Sequence, residues 1–248
     1  MTVVFNKTKG LTDAPFSYCP GCTHGTIHRL VAECLEELDL LDHSVAIASV
    51  GCSVMSYEYF NCDAIQAAHG RAPAVATGVK RVHPDKIVFT YQGDGDLASI
   101  GTAEIVQAAH RGENITVIFV NNAIYGMTGG QMAPTTLPNQ ITTTSPRGRD
   151  VMMTGEPIKM SELMATIPGA AYIERVMTAD PLSVRKAKKA IKKAFQYQKE
   201  NKGFSMIEVL SSCNIGWGLS PNDALQYIKN EMAAYFPLGV YKDKGDTR

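Results

Sequence analysis

Short apolar runs alternate along this chain with longer amphipathic stretches. "GTIHRLVAECLEELDLL" (25–41) places Ile27, Leu30, Val31, Leu35 and Leu38 on one helical stripe. "VAIASV" (45–50) reads as a buried strand, "APAVATGVKRV" (72–82) as a helix of small residues, and "KIVFTYQ" (86–92) as a strand running into a glycine turn. "ASIGTAEIVQAAHRG" (98–112) predicts a helix closed by Gly112, where a terminating glycine belongs. "ITVIFV" (115–120) is apolar throughout, as in a strand covered on both faces. "AAYIERV" (170–176) and "FSMIEVL" (204–210) predict two more strands, with the helix "LSVRKAKKAIKKAFQYQKE" (182–200) between them. "PNDALQYIKNEMAAYF" (221–236) predicts a terminal helix, and the closing "KDKGDTR" a frayed end. This alternation predicts an α/β fold: a mostly parallel sheet with helices on both faces. Such sheets bind ligands in the crevice beyond the strand C-termini. Residues 122–159, rich in Gly, Pro and Thr, form a long stretch without periodicity, which in a compact domain is usually functional.

Composition narrows the choice of partner. The 248 residues are 45% hydrophobic and 19% charged, with formal net charge zero. That balance suits a soluble, well-cored protein and gives no electrostatic case for nucleic acid or an anionic membrane surface. No apolar run is long enough to span a bilayer, and the N-terminus lacks the basic start and apolar stretch of a signal peptide. The expectation is a cytoplasmic protein. The six cysteines, Cys19, Cys22, Cys34, Cys52, Cys62 and Cys213, are then candidates for metal binding, redox chemistry or plain burial rather than disulfides.

The chemistry starts at Gly93-Asp94-Gly95-Asp96, after one predicted strand, and Asn121-Asn122, after the next. Glycines let the backbone approach a ligand closely, and a nearby helix N-terminus favours phosphate. A carboxylate in that turn would repel bare phosphate but suits a bridging divalent cation such as magnesium, which takes oxygen ligands. An amide oxygen from Asn122 and a backbone carbonyl would complete such a site. Gly-Asp-Gly, then residues 96–120, then Asn-Asn resembles the signature of thiamine diphosphate enzymes. The resemblance implies Asp94 and Asn122 as magnesium ligands through their side chains and Ile124 through its carbonyl. It places Gly95, Asp96, Gly126 and Met127 along the diphosphate or the thiazolium.

The cysteines form a second constellation in "YCPGCTHG" (18–25), "SVGCSV" (49–54) and "SSCNIGWG" (211–218). The last two follow predicted strands and so face the same crevice. Four thiolates from dispersed positions suit an iron–sulfur cluster or a structural zinc, and spacing alone does not separate these. With "AAHGRAPAVATGVK" and "GDGDLASIGTAEIVQAAHRGENITVIFVNNAIYGMTGGQMAPTT", nearly the whole chain resembles the thiamine-binding β subunit of the 2-oxoacid:ferredoxin oxidoreductases.

That resemblance implies one domain over 1–248, with a cluster-ligand segment (1–24) and a C-terminal helical extension (214–248). It implies that Cys19, Cys22, Cys52 and Cys213 hold a [4Fe–4S] cluster near the cofactor. Cys34 and Cys62 are left to packing. In "HGRA" (69–72), His69 is the candidate catalytic residue and, with Gly70, Arg71 and Ala72, approaches the cofactor. Val50, Gly51 and Ser53 contact it through the turn that bears Cys52, while His24 and His28 are structural. The implied activity is oxidative decarboxylation of a 2-oxo acid, with electrons passing to ferredoxin and the acyl group to coenzyme A. The activating glutamate would come from an α subunit, with γ and δ subunits carrying further clusters. "GCSVMSYEYF" offers no Lys or Arg for a second substrate carboxylate. This favours a branched-chain substrate such as 2-oxoisovalerate over 2-oxoglutarate or pyruvate; the rival reading is a non-redox thiamine-dependent decarboxylase. The basic run 185–202 is a solvated helix face or a docking site for an acidic partner.

Overall fold

The computed structural model describes residues 6–245. Seven strands form one sheet: β1 (Ser44–Ala48), β2 (Asp63–Gln66), β3 (Ile87–Gly93), β4 (Thr116–Asn121), β5 (Ala170–Met177), β6 (Phe204–Leu210) and β7 (Gly239–Asp243). Their order is β2-β1-β3-β4-β6-β5-β7, and every pairing is parallel except that of β7 with β5. The helices are α1 (His24–Glu37), α2 (Ser56–Tyr59), α3 (Ala72–Val82), α4 (Thr102–His110), α5 (Val151–Thr154), α6 (Met160–Ala165), α7 (Pro181–Lys199), α8 (Asn214–Trp217), α9 (Pro221–Tyr227) and α10 (Ala233–Tyr235).

The alternation of side chains along each strand divides the core in two. Ile118 and Val120 of β4 join Phe89 and Ile207 under α1 and α7. Val117 and Phe119, between them in sequence, join Val88 and Ile173 under α3, α4 and α6. The sheet is therefore covered on both faces, as the unbroken apolar strands require.

Three predicted features are corrected. Within "KDKGDTR", Lys242 and Asp243 lie in β7, where Asp243 is tied to Lys193 and Tyr197 of α7, and residues 246–248 lie outside the described residues. The C-terminal extension is accordingly not helical throughout. Its predicted single helix over 221–236 is interrupted by a wide π turn at Ile228–Met232. The basic helix α7 keeps Arg185, Lys186, Lys189 and Lys199 exposed, as a solvated face would, and pairs the rest of its charge. Lys188 pairs with Glu33 and Glu37, and Lys192 with Glu37, all within the chain. The expected cluster-ligand segment 1–24 begins outside the described residues and can be followed from residue 6. Among the described residues no helix is long and apolar enough to cross a membrane.

Candidate active site

At the C-terminal edge of the sheet the chain leaves β1 and β3 in different directions, opening a crevice. A cavity of about 200 Å³ lies there. Val50–Ser53 line it from beyond β1, Gly93–Asp96 from the end of β3, and Asn122 with Ile124–Thr128 from beyond β4. His69 reaches it from the turn before α3.

Asp94 is 3% exposed and held on three sides. Its Oδ1 accepts from the Gly95 N–H at 2.9 Å; its Oδ2 accepts from the Ile124 N–H at 3.2 Å and from Thr135 Oγ1 at 2.7 Å. Burial is the largest influence on it and pushes its carboxyl up to about 6, against the lowering effect of those donors. Asn122 Oδ1 is buried with no hydrogen-bond partner, an arrangement folded proteins rarely leave unanswered. An orphaned amide oxygen beside a desolvated carboxylate is a donor set that fits a hard divalent cation.

The two asparagines have separate tasks. Asn121 Nδ2 donates to Glu208 of β6 at 2.8 Å, and its Oδ1 accepts the Ala123 N–H at 3.1 Å. Ala123 has φ +57, a left-handed turn that Asn121 braces from within. Asn122 lines the cavity, and Trp217 Nε1 donates to its carbonyl at 3.1 Å.

Asp96 is also committed. Its Oδ2 accepts from Gln92 Nε2 at 2.6 Å, and its Oδ1 from the Gly70 N–H at 2.8 Å and His69 Nδ1 at 2.5 Å. A carboxylate can only accept, so Nδ1 carries the proton and Nε2 is the ring nitrogen left for a ligand.

A second cavity, of about 270 Å³, adjoins the first and is lined by Cys19, Cys22, Cys52 and Cys213. Cys52, Gly126 and Met127 line both. The C-P-G-C turn is sewn to the segment after β6. Thr23 Oγ1 and Ser211 Oγ share a hydrogen bond of 2.7 Å, Ser212 Oγ donates to Gly21 O at 2.8 Å, and Asn214 Nδ2 donates to Pro20 O at 3.1 Å. A Cβ on Gly126 would meet Cys213 Sγ at 3.0 Å and Cys52 Sγ at 3.5 Å, so a glycine there keeps room beside both sulfurs. Burial chiefly pushes the Cys22 thiol up to about 12 and Cys213 to about 11, and neighbouring cysteines add to each. Among the described residues no three His, Cys, Asp or Glu side chains gather closely enough to chelate one ion. Four thiols around one cavity are a sulfur donor set that fits an iron–sulfur cluster or a zinc ion.

Residues 49–209 match the family described as thiamine pyrophosphate enzyme, C-terminal TPP binding domain. The ketoisovalerate oxidoreductase subunit VorA of Methanothermobacter marburgensis is 48% identical over 241 residues, 97% of this chain and 50% of that protein. The 2-oxoglutarate synthase subunit KorB of Methanocaldococcus jannaschii is 38% identical over 222 residues, 87% of this chain and 77% of that protein. The chain belongs to the thiamine pyrophosphate-binding subunits of the 2-oxoacid:ferredoxin oxidoreductases. A solved 2-oxoglutarate:ferredoxin oxidoreductase from Magnetococcus marinus, with 2-oxoglutarate, coenzyme A and succinyl-CoA bound, has the same fold. It gives a TM-score of 0.79 at 27% identity, covering 99% of this chain and 90% of that one. The chain spans about half the length of the two VorA relatives it matches.

For a thiamine pyrophosphate-binding subunit, most expected site residues converge. Val50, Gly51, Cys52, Ser53, His69, Asp94, Gly95, Asp96, Asn122, Ile124, Gly126 and Met127 all line the first cavity. Gly70, Arg71 and Ala72 do not. Arg71 pairs with Glu104 at 2.6 Å and donates to Ile100 O, Ala72 is fully buried, and a Cβ on Gly70 would strike the backbone of Gly101. His24 packs as a core histidine would, with Nδ1 2.9 Å from Tyr91 Oη, yet it also lines both cavities. Cys34 is buried in the core, and its thiol donates to Lys188 O at 3.4 Å.

Several lining residues were not anticipated. Ser99 and Ile100 belong to the π turn Asp96–Ile100, a widened helix start that sequence periodicity does not signal. Tyr125 lies against Gly95, whose added Cβ would come within 2.9 Å of its ring, and donates to Ser99 Oγ. Thr135 does not line the cavity but holds Asp94, and it carried no local signal, because its partner lies 41 residues away in sequence.

Proposed function

We propose that this chain is the cofactor- and cluster-bearing β subunit of a coenzyme A-acylating 2-oxoacid:ferredoxin oxidoreductase, with a branched-chain 2-oxo acid such as 2-oxoisovalerate as its preferred substrate. The observation that carries the reading is the wall shared by the Asp94–Asn122 cavity and the four-cysteine cavity, made by His24, Cys52, Asn122, Gly126 and Met127. Thiamine diphosphate bound here would supply the electron sink for decarboxylation, and an adjoining [4Fe–4S] cluster would accept electrons singly.

The chain's own residues divide the remaining work. Asp94 and Asn122 side-chain oxygens and the Ile124 carbonyl would hold Mg²⁺, which would supply positive charge beside the diphosphate. Gly95 and Gly126 would let the backbone come close to the cofactor, and Val50, Gly51, Ser53 and Met127, which line the same cavity, would contact it. His69, fixed through Nδ1 by Asp96, would hold or take up a proton at Nε2. Cys19, Cys22, Cys52 and Cys213 would ligate the cluster as thiolates.

Among the described residues no glutamate lines either cavity, which supports an activating glutamate supplied by an α subunit. The absence of a ferredoxin-type cysteine run supports γ and δ subunits that relay electrons to ferredoxin. Among the described residues no Lys or Arg lines either cavity to meet a second substrate carboxylate. The two relatives named for ketoisovalerate are 48% and 47% identical, against 38% for the first of those named for 2-oxoglutarate. Cysteines that are all free support a reducing, cytoplasmic setting.

The test is anaerobic viologen reduction by the co-expressed complex, with 2-oxoisovalerate, 2-oxoglutarate and pyruvate in turn. The reading predicts coenzyme A-dependent reduction with the highest kcat/KM for 2-oxoisovalerate. Preference for 2-oxoglutarate would overturn the substrate assignment. Aldehyde release without viologen reduction would point to the non-redox decarboxylase.

A further inference from the structure

The segment that follows the crevice loop returns to the site through two threonines. Thr135 and Thr136 are both fully buried, although they lie in irregular chain between β4 and α5. Thr135 Oγ1 donates to Asp94 Oδ2 at 2.7 Å. Thr136 Oγ1 donates to Ala123 O at 2.6 Å, in the left-handed turn that joins Asn122 to Ile124. Adjacent hydroxyls thus fasten both halves of the candidate cation site, the β3 carboxylate and the β4 turn.

What holds the threonines is a buried cation. Arg149, 4% exposed, donates through Nη1 to the carbonyls of Ala133, Pro134 and Thr136, at 3.3, 3.0 and 2.6 Å. Its Nε and Nη2 donate to Gly155 O at 3.2 and 2.9 Å. A planar fork of fixed donors can gather several carbonyls from one side and still brace a second loop. Desolvating a guanidinium is expensive, so this placement makes sense where the order of the loop matters.

We propose that Thr135 is a positioning residue for the divalent cation of thiamine diphosphate, and that Arg149 is its support. The inference rests on the reading of Asp94 as a cation ligand. A carboxylate offers about four lone-pair sites. Gly95 N–H, Ile124 N–H and Thr135 Oγ1 each occupy one on Asp94, which fixes the orientation of the carboxylate. Of the three donors only the threonine is a side chain, so it is the one a substitution can remove without rebuilding the turn. Mg²⁺ tolerates little departure from octahedral geometry, and outer partners of metal ligands typically govern affinity by about 10–100-fold.

The test is Mn²⁺ binding, followed by electron paramagnetic resonance in the presence of thiamine diphosphate, on the complex as isolated. Thr135→Val keeps the shape and removes the hydroxyl; Thr135→Ala does so without a branched side chain if valine is not accommodated. Either is expected to weaken Mn²⁺ binding by about 10–100-fold. Thr135→Ser should restore it to within a few-fold, and Arg149→Lys should fall between. Mn²⁺ binding that is lost in Asp94→Asn but undisturbed in Thr135→Val and Thr135→Ala would overturn the inference alone. Mn²⁺ binding that Asp94→Asn leaves intact would overturn the cation reading and the inference with it.

Discussion

The two adjoining cavities are built by different means. The Asp94 crevice is assembled from consecutive strand ends, and its key side chains are fixed before any ligand arrives: Asp94 by three donors, Asn121 by Glu208, Asp96 by Gln92, His69 and Gly70. The cysteine cavity draws on three segments far apart in sequence, and its fixed hydrogen bonds are made by flanking residues such as Thr23, Ser211 and Ser212. Its thiols are instead set against one another, since burial and neighbouring cysteines both oppose ionisation at Cys22 and Cys213. A carboxylate–amide pocket can be prepared by hydrogen bonds, because its groups are strong acceptors. Thiolates accept weakly and repel, so their site is completed by the charge of what they bind.

If the crevice is prepared and the thiol cavity is not, perturbations should separate them. The largest effect is expected from Asp94→Asn, which removes the candidate charged ligand. Thiamine diphosphate affinity at fixed Mg²⁺ should fall by about 100-fold or more in a calorimetric titration, with iron content unchanged. Loss of iron in the same variant would show that the sites are not independent. Gly126→Ala probes the common wall, because its Cβ would meet Cys213 and Cys52 sulfurs at 3.0 and 3.5 Å. Overpacking of this kind costs about 1–3 kcal/mol and should lower iron content and thiamine diphosphate affinity together.

A third effect lies behind the thiol cavity. His28 is stacked on Tyr91 at 4.2 Å and hydrogen-bonded to Tyr18 Oη, and burial, then His24, holds its ring well below the ordinary histidine range. The folded state refuses a proton that the unfolded chain accepts, so stability should fall as pH drops below about 6.5, by at most about 1.4 kcal/mol per unit for one such group. His24, pushed down to about 4 by burial, adds to the slope. Urea unfolding at pH 7 and pH 5 should show a shallower loss in His28→Phe; an equal slope would contradict the assignment. The smallest effect should come from Asp180→Ala, which lines neither cavity. It breaks the capping box of α7, in which Asp180 Oδ1 accepts the Ser183 N–H at 2.7 Å and Ser183 Oγ accepts the Asp180 N–H at 2.9 Å. About 1 kcal/mol of stability should be lost, measured by thermal unfolding, with both cavities unaffected.

What sequence pattern conveyed follows the same division. Strands β3, β4 and β6 and helix α3 were legible because an unbroken apolar run, or a small-residue helical stripe, has few other destinations. The Asp94 and Asn122 positions were legible because both sides of the crevice follow such strands within one short stretch. Edge strand β2 was not, since Asp63–Gln66 is exposed throughout and joined to β1 by backbone pairing alone. Nor was β7, whose "GVYKD" gains strand character from Lys193 and Tyr197 on α7. Thr135 and Arg149 were invisible for the same reason: their partners are backbone groups and a distant carboxylate, which leave no periodic trace.

The central claim is that Cys19, Cys22, Cys52 and Cys213 enclose a cluster against the wall of the thiamine site. Iron and acid-labile sulfide should be measured on the anaerobically purified complex and on its Cys213→Ser variant. The account predicts that the variant loses about four irons and their sulfide per copy of this chain while still binding thiamine diphosphate. Unchanged iron, or zinc in place of iron in the parent protein, would contradict it.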